Sequence, residues 1–214
     1  MKTDTTVAKL LLDAGAVAIK PENPFRGSSG LLTPIYTDGR VLISNQPERK
    51  QIGAAFEKLC RANFPDVDVI AGMVTSGIPW AAWLAAALNK PMVYIRSRAK
   101  RHGKMTRIEG VLEPGSTVVI IDDVVNSGGS LLSGIAAVRN VGGEPVGALA
   151  ISTYQLRMAV EGLRKARVPL YTLTNLRTLL TVARVGGLAS PESEQAILDW
   201  AAHPAAWTGP RKTE

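Results

Sequence analysis

Short apolar runs alternate with stretches of helical spacing along most of the chain. Continuous apolar runs are typical of strands buried on both faces. The strands predicted in this way are residues 67–71, 92–95, 117–121 and 146–152, with residues 170–172 as a fifth candidate. Helices are predicted over residues 46–63, 80–88, 130–141 and 158–166. Because strands alternate with helices, the pattern predicts an α/β fold: a doubly wound, mainly parallel sheet flanked by helices. Ligands of such sheets bind at the carboxyl ends of the strands, where residues 72–79, 96–110 and 122–130 lie.

The first 45 residues follow a different pattern. A helix is predicted over residues 5–15, and after it prolines and glycines surround short apolar pieces such as residues 41–43. Short strands and turns are therefore predicted over residues 16–45. We expect one compact unit with two parts: an N-terminal helix and strand/turn segment, called the hood segment, over residues 1–45, and an α/β core with a C-terminal helical extension over residues 46–214.

Composition and charge limit the class of protein. With 46% hydrophobic and 20% charged residues among 214, the chain has the make-up of a globular protein. No apolar run approaches the ~20 residues of a membrane span, and the acidic N-terminal stretch argues against a signal peptide. The single cysteine, Cys60, excludes an internal disulfide and a cysteine-based zinc cluster, so a cytoplasmic location is expected. The net charge of +7 suits an anionic partner, either nucleic acid or a phosphorylated metabolite.

The most informative segment is TVVIIDDVVNSGGSLLSG, at residues 117–134, which joins a buried strand to a helix. Two acids, Asp122 and Asp123, follow the strand. Two glycines, Gly128 and Gly129, permit a left-handed backbone that approaches a ligand closely. Free amides at the helix start, together with the helix dipole, favour a bound anion. The loop contains no lysine, which excludes a Walker A motif.

The paired acids need a separate explanation, because carboxylates beside a phosphate repel it. Sugar hydroxyls, or a magnesium ion near them, would suit Asp122 and Asp123, and we expect no metal held directly by protein ligands. Consecutive strand residues point to opposite faces, so the two acids should have unequal roles. Taken piece by piece, the segment is also compatible with an ordinary polar turn before a capped helix.

A second candidate segment, PMVYIRSRAKRHGKMTRIEG at residues 91–110, is rich in cations. Within twelve positions it holds Arg96, Arg98, Lys100, Arg101, Lys104 and Arg107, with His102 among them. Charge alone does not separate a phosphate clamp from a solvated loop.

Several segments resemble one family, in the family's order. The run VVIIDDVVNSGGS, at residues 118–130, resembles the phosphoribosyl pyrophosphate signature of the type I phosphoribosyltransferases. Residues 91–110 are similar to the flexible catalytic loop of the orotate phosphoribosyltransferases, and FRGSSGLLTPIYTDGR, at residues 25–40, is similar to their orotate-site segment. The loop GMVTSGIPWAA, at residues 72–82, resembles their pyrophosphate loop.

The resemblance implies transfer of a phosphoribosyl group from phosphoribosyl pyrophosphate to orotate, a step of pyrimidine nucleotide biosynthesis, with magnesium as the cofactor. It implies catalytic roles for Arg96, Lys100, His102 and Asp123. Phosphoribosyl pyrophosphate binding is implied for Arg96, Lys100, His102, Ser76, Gly77, Asp122, Asp123, Val124, Val125, Asn126, Ser127, Gly128, Gly129 and Ser130. Orotate binding is implied for Ser29, Gly30, Tyr36 and Asn126. In the family the loop at residues 96–110 reaches into the neighbouring subunit's site, so a homodimer is expected.

The chain departs from the family at Asn126, where threonine or serine is usual, and at Ser97 and Ser76, where lysine occurs in other members. Two alternatives remain open beside the orotate enzyme. One is a phosphoribosyltransferase for a purine base, and the other is a non-catalytic regulator that keeps the fold and binds nucleic acid through its basic surface. The complete loop, with Lys100 and His102, favours an enzyme, and no nucleic-acid or membrane partner is expected.

Overall fold

The computed structural model describes residues 3–26, 32–98 and 107–209. Its helices are α1 (Thr3–Asp13), α2 (Val41–Ser44), α3 (Gln46–Asn63), α4 (Gly77–Leu88), α5 (Gly129–Asn140), α6 (Arg157–Ala166), α7 (Leu176–Val185) and α8 (Pro191–Ala202). Its strands are β1 (Val17–Ile19), β2 (Phe25–Arg26), β3 (Leu32–Thr33), β4 (Ile35–Thr37), β5 (Val69–Met73), β6 (Met92–Ile95), β7 (Ile108–Glu109), β8 (Thr117–Val125), β9 (Glu144–Thr153) and β10 (Leu170–Asn175). The helix predicted over residues 46–63 and the strand predicted over residues 92–95 have the predicted bounds.

Six strands form the central sheet, in the order β10-β9-β8-β5-β6-β7. All neighbours are parallel except β7, which pairs antiparallel with β6 and places Tyr94 opposite Glu109. β8 lies inside the sheet, and its residues 118–121 are fully buried. Burial on both faces requires a continuously apolar strand. The predicted α/β fold with a mainly parallel sheet is confirmed.

Helices cover both faces of the sheet, and the side chains of β8 alternate between them. One face carries α1, α3, α4 and α7, and its core contains Phe56, Trp80 and Ile121. The other face carries α5 and α6, and its core contains Leu131 and Ile120. The sheet is therefore doubly wound, as the sequence predicts.

A third hydrophobic core joins the hood segment to the C-terminal helices. Within the hood segment β1 pairs with β4 and β2 pairs with β3, both antiparallel. Ile35 of β4 is fully buried in a core that it shares with Leu180, Ile197 and Trp200 of α7 and α8. The indole N–H of Trp200 also donates to the carbonyl oxygen of Leu32, 3.0 Å away. Helix α8 thus holds β3 and β4 in place.

The prediction of strand or turn over residues 41–43 is wrong, because this piece forms the short helix α2. The amide of Leu42 donates to the carbonyl of Gly39 at 3.2 Å, and the amide of Ile43 donates to that of Arg40 at 3.0 Å. Three apolar residues in a row have no periodicity that could separate a strand from a helical turn. The division of the chain at residue 45 stays a prediction.

Candidate active site

Two segments that are distant in sequence pack on the end of β8. Gly39, in the turn after β4, is so close to Asp123 that a Cβ on this glycine would lie 2.9 Å from the Asp123 Cβ. Gly77, the first residue of α4, has no room for a Cβ because it would collide with the carbonyl oxygen of Ile121. The hood segment and the predicted pyrophosphate loop therefore both lie against the residues beside the paired acids.

The paired acids lie inside β8 rather than after it. The predicted strand, residues 117–121, is four residues too short, because the parallel ladder with β9 continues through Asp122 opposite Ala150 to Val125 opposite Thr153. Carboxylates are unusual in a buried strand, so the sequence pattern stopped at the last apolar residue. The carboxylates accept local hydrogen bonds: the Asp123 amide donates to Asp122 Oδ1 at 3.0 Å, and the Val124 amide donates to Asp123 Oδ1 at 2.8 Å.

Both acids are half-buried, and this changes their ionisation. Removal from water, followed by repulsion from Asp123, raises the pKa of Asp122 to about 7. Removal from water also raises the pKa of Asp123; the hydrogen bond from the Val124 amide opposes that rise, and the charge of Asp38 adds to it. Because the pKa of each carboxyl is raised, both are ionised at neutral pH only where hydrogen-bond donors or a cation stabilise the two negative charges.

The loop after β8, residues 126–130, has the shape of an anion site. Gly128 has a left-handed backbone (φ +79°), and a Cβ on it would lie 3.0 Å from the Cα and Cβ of Ala159. Gly129 differs from the sequence expectation: it begins α5 without a positive φ, and the nearest atom to a Cβ there would be Ser127 Oγ, 3.7 Å away. No described side chain caps α5, so the amides at its start can donate to an anion.

The other binding residues predicted in this loop and at the end of β8 divide into two groups. Asn126, Ser127 and Ser130 have exposed side chains at the carboxyl edge of the sheet. Val125 is buried in the α5–α6 core, and Val124 packs against the third core. The two valines can reach a ligand only through their main chain.

The predicted pyrophosphate loop connects β5 to α4. Its Val74–Thr75 peptide bond is cis. Ser76 occupies the N-cap position of α4, again without a side-chain cap among the described residues, and Gly77 is buried directly behind it. The starts of α4 and α5, which follow the adjacent strands β5 and β8, therefore both lack a side-chain cap among the described residues. Each favours an anion through its amides and its dipole.

The base of the cationic loop, residues 96–110, is tied to α5. Arg96 is half-buried, and its Nη1 donates to Glu109 Oε1 at 3.0 Å. The guanidinium of Arg107 donates to the Arg96 carbonyl oxygen at 2.6 Å and to Ser133 Oγ of α5, also at 2.6 Å. The sequence shows Arg107 as one of the cations and does not predict it as a site residue, because only the tertiary contact with α5 reveals this role. Lys100 and His102 lie outside the described residues.

The predicted orotate segment lies beside the acids. Tyr36 of β4 is 45% exposed, and its ring centroid is 5.7 Å from that of Phe25. Arg40 donates from Nε and Nη2 to the two carboxylate oxygens of Asp38, each at 2.7 Å, and more weakly to Tyr36 Oη at 3.3 Å. The hydrogen bonds from Arg40 lower the pKa of Asp38. Ser29 and Gly30 lie outside the described residues.

One contact beside the site was not predicted. Tyr154 follows β9, and its hydroxyl lies 3.1 Å from Thr37 Oγ1 of β4, in the protein interior. The two residues are 117 positions apart, so no local pattern connects them.

Membrane spans and metal clusters are both absent from residues 3–26, 32–98 and 107–209. No helix there has the length and apolar content that a bilayer crossing needs. No group of three or more histidine, cysteine, aspartate or glutamate side chains there could hold a metal ion.

Known proteins resemble this chain in sequence over most of its length. Residues 39–159, more than half of the chain, match the family model described as the phosphoribosyl transferase domain. A protein of Halalkalibacterium halodurans named orotate phosphoribosyltransferase is 43% identical over 199 residues, which are 93% of this chain and 95% of that protein. The protein of the same name from Bacillus caldolyticus is 42% identical over 97% of this chain and 99% of its own length.

The fold has solved counterparts as well. The crystal structure of orotate phosphoribosyltransferase from Aeropyrum pernix superposes with a TM-score of 0.74 at 29% identity, and the match covers 86% of this chain and 99% of that one. The similarity thus extends over nearly the whole chain in sequence and over most of it in structure.

Proposed function

Because this chain belongs to the orotate phosphoribosyltransferases, within the family of the phosphoribosyl transferase domain, we propose that the site at the carboxyl edge of its sheet transfers the phosphoribosyl group from phosphoribosyl pyrophosphate to orotate. The products are orotidine 5′-monophosphate and pyrophosphate. The packing of Gly39 on Asp123 supports this most directly, because it brings the segment that resembles an orotate site against the segment that resembles a sugar-phosphate site.

The two uncapped helix starts bind the two phosphate groups in this proposal. The amides that follow Gly128 donate to the 5′-phosphate, and the exposed hydroxyls of Ser127 and Ser130 add donors. The start of α4, at Ser76 and Gly77, faces the pyrophosphate. The paired acids would be repelled by either phosphate and therefore bind the ribose.

Asp122 and Asp123 accept hydrogen bonds from the ribose hydroxyls in this arrangement. Their pKa values are raised because hydrogen bonds and nearby positive charge in the free protein do not offset the removal of each carboxylate from water. Hydroxyl donors favour the ionised form of a carboxylate and so lower its pKa. Sugar binding and ionisation of the pair therefore assist each other.

The chemical step replaces the bond between the anomeric carbon and pyrophosphate with a bond between that carbon and orotate. A ring nitrogen of orotate forms a bond to the anomeric carbon while the bond from that carbon to pyrophosphate breaks, and the electron pair leaves with the pyrophosphate. The proton of that ring nitrogen passes to the departing pyrophosphate. The carbon acquires oxocarbenium character, so catalysis depends on stabilising the leaving charge and excluding water. Arg96, Lys100 and His102 supply donors to the leaving group, and closure of their loop would exclude water.

Magnesium fits the donor set of this site. Asp122 and Asp123 offer hard carboxylate oxygens, and their raised pKa values indicate a place where positive charge is favourable. The described residues hold no three-ligand cluster, so the ion would take its ligands from the pyrophosphate, the ribose hydroxyls and water, with Asp122 and Asp123 beside it rather than bound to it. Bound there, it supplies positive charge that offsets the charge of the pyrophosphate.

We extend the proposal to assembly and location. A homodimer that shares the loop at residues 96–110 between subunits would place Lys100 and His102 in the partner's site, as the family resemblance implies. A cytoplasmic location suits Cys60, whose thiol is free and buried and whose pKa is raised to about 11 by that burial.

A direct assay tests the reaction. Orotate absorbance should fall when the protein is mixed with orotate, phosphoribosyl pyrophosphate and magnesium, and it should stay constant when either substrate is omitted. Asp123→Asn should lower kcat/KM by roughly 10–100-fold, the effect of losing a hydrogen bond to a charged group. Asp13→Asn, an exposed acid of α1, is the matched control and should retain activity. Turnover of adenine, guanine or hypoxanthine without turnover of orotate would instead identify a purine-type enzyme.

A further inference from the structure

We propose that Tyr154 is a positioning residue that fixes the orotate segment relative to the loop at residues 126–130, called the phosphate loop; this inference rests on the proposed function. Its backbone amide donates to the carbonyl oxygen of Val125 at 3.0 Å, directly before Asn126. Its hydroxyl lies 3.1 Å from Thr37 Oγ1, directly after Tyr36. One residue thus links the strand that leads into the phosphate loop to the strand that carries the predicted base contact.

The Tyr154 side chain is held from several sides. It is 4% exposed, and its ring packs edge-on against Trp200 with the ring centroids 5.6 Å apart. Trp200 is itself anchored by its hydrogen bond to the Leu32 carbonyl. At the other end, Thr153 Oγ1 also donates to the Val125 carbonyl, at 3.1 Å. Tyr154 therefore sets the distance between β4 and the end of β8, because neither strand can move without breaking a buried contact to this residue.

The hydroxyl of Tyr154 is the donor to Thr37 Oγ1. Burial raises the pKa of Tyr154 to about 12, so this hydroxyl is protonated at neutral pH. Thr37 is buried, whereas Tyr36, the preceding residue of β4, is 45% exposed. Adjacent strand residues point to opposite sides, so the anchor on Thr37 holds the strand from its inner side and sets the position of Tyr36 on the outer side. The turn that follows rests on Asp123 through Gly39.

Two isosteric variants test the link, since each removes one hydroxyl and little volume. Tyr154→Phe and Thr37→Val should each raise the KM for orotate by about fivefold, the factor that loss of one neutral hydrogen bond typically gives. The kcat and the KM for phosphoribosyl pyrophosphate should stay within about twofold of wild type, because the phosphate loop keeps its main-chain bonds. The double variant should be no worse than either single variant, because both changes remove the same bond.

Matched controls separate positioning from general stability. Tyr171→Phe removes a tyrosine hydroxyl on β10, and Thr174→Val removes a buried threonine hydroxyl that has no partner among the described residues. Both should leave all kinetic constants unchanged. A lower melting temperature for Tyr154→Phe with an unchanged KM for orotate would overturn the positioning role, as would strictly additive effects in the double variant. Absence of orotate turnover by the wild-type protein would instead refute the proposed function.

Discussion

Gly128 and Gly129 are adjacent in sequence, but only one of them must be glycine for the backbone. A Cβ on Gly128 would meet the cost of a left-handed conformation, roughly 1 kcal/mol, and would press on Ala159 at 3.0 Å. We expect Gly128→Ala to weaken phosphoribosyl pyrophosphate binding by about tenfold, because the amide N–H groups that follow it would no longer point at the phosphate. Gly129→Ala should stay within about twofold of wild type, since alanine is favourable in a helix.

Calorimetric titration with phosphoribosyl pyrophosphate separates the two glycines. Equal losses in both variants would show that the ligand itself, rather than the backbone, excludes a side chain at Gly129. The sequence expectation treated the pair alike because the pattern S-G-G-S does not reveal which glycine has the positive φ.

Asp122 should make the free protein less stable at alkaline than at acidic pH. Its pKa is about 7 in the folded protein and 3.8 in the unfolded chain, so folding takes up a proton between these values. The contribution of the protonated Asp122 carboxyl to the free energy of unfolding is fully present below the unfolded pKa of 3.8 and is lost as the pH rises through the folded pKa of about 7. Asp122→Asn should therefore raise the melting temperature of the ligand-free protein at pH 8, by about 3 °C for roughly 1 kcal/mol.

The gain from Asp122→Asn should shrink at pH 5, where the wild-type carboxyl is already protonated, and thermal unfolding at both values measures it. The same increase at both pH values would contradict the cause assigned here. Activity should fall in this variant, because an amide cannot replace a carboxylate toward ribose hydroxyls or magnesium. The Asp122 carboxylate would then lower the melting temperature of the ligand-free protein while it supports activity.

The stem formed by β6 and β7 connects the cationic loop to α5 through Arg107 and Ser133. Because α5 begins at the phosphate loop, this contact links the two segments that are proposed to bind phosphate groups. Arg107→Gln should lower kcat/KM by about tenfold, since small misplacements of catalytic groups are costly, with little change in melting temperature. Arg139→Gln is the control: Arg139 donates to the Ala166 carbonyl at the other end of α5 and should retain full activity. If both variants behaved alike, the link would have no specific effect.

Helices and strands with strong periodicity could be predicted well, as the bounds of α3 and β6 show. Prediction failed where tertiary contacts decide the structure. β8 extends through two carboxylates because β9 continues beside it, and α2 replaces the predicted strand or turn because only Leu42 needs to be buried. The acids and the small-residue loop could be found from local chemistry, whereas Tyr154 contacts Thr37 over 117 positions and leaves no local signal.

Mixing two damaged variants tests whether each active site is shared between the two subunits of the dimer. If the loop at residues 96–110 acts in the partner's site, Lys100→Ala and Asp123→Asn damage different parts of each site. Lys100→Ala alone should lower kcat by about 100-fold, as loss of transition-state electrostatics does. After subunit exchange, half of the dimers are hybrids with one intact site, so activity should recover to about one quarter of the wild-type level.

Native mass spectrometry verifies that hybrid dimers have formed, and the orotate assay then gives the recovery. If hybrids form and activity stays at the level of the separate variants, each subunit contains a complete site of its own. A mixture of Asp123→Asn with Asp122→Asn serves as the control, because both changes damage the same part of the site.

The bond from Trp200 to Leu32 spans 168 positions, and this separation has a consequence for biosynthesis. A ribosome adds about 5–20 residues per second, so β3 and β4 emerge roughly 10–30 s before the helix that fixes them. During that interval the nascent chain can form much of its parallel sheet, but the third core is incomplete and β3 and β4 lack their contacts with α8. Completion of the third core therefore waits for α8, and a chain released before α8 is made would have the sheet without the contacts that hold β3 and β4.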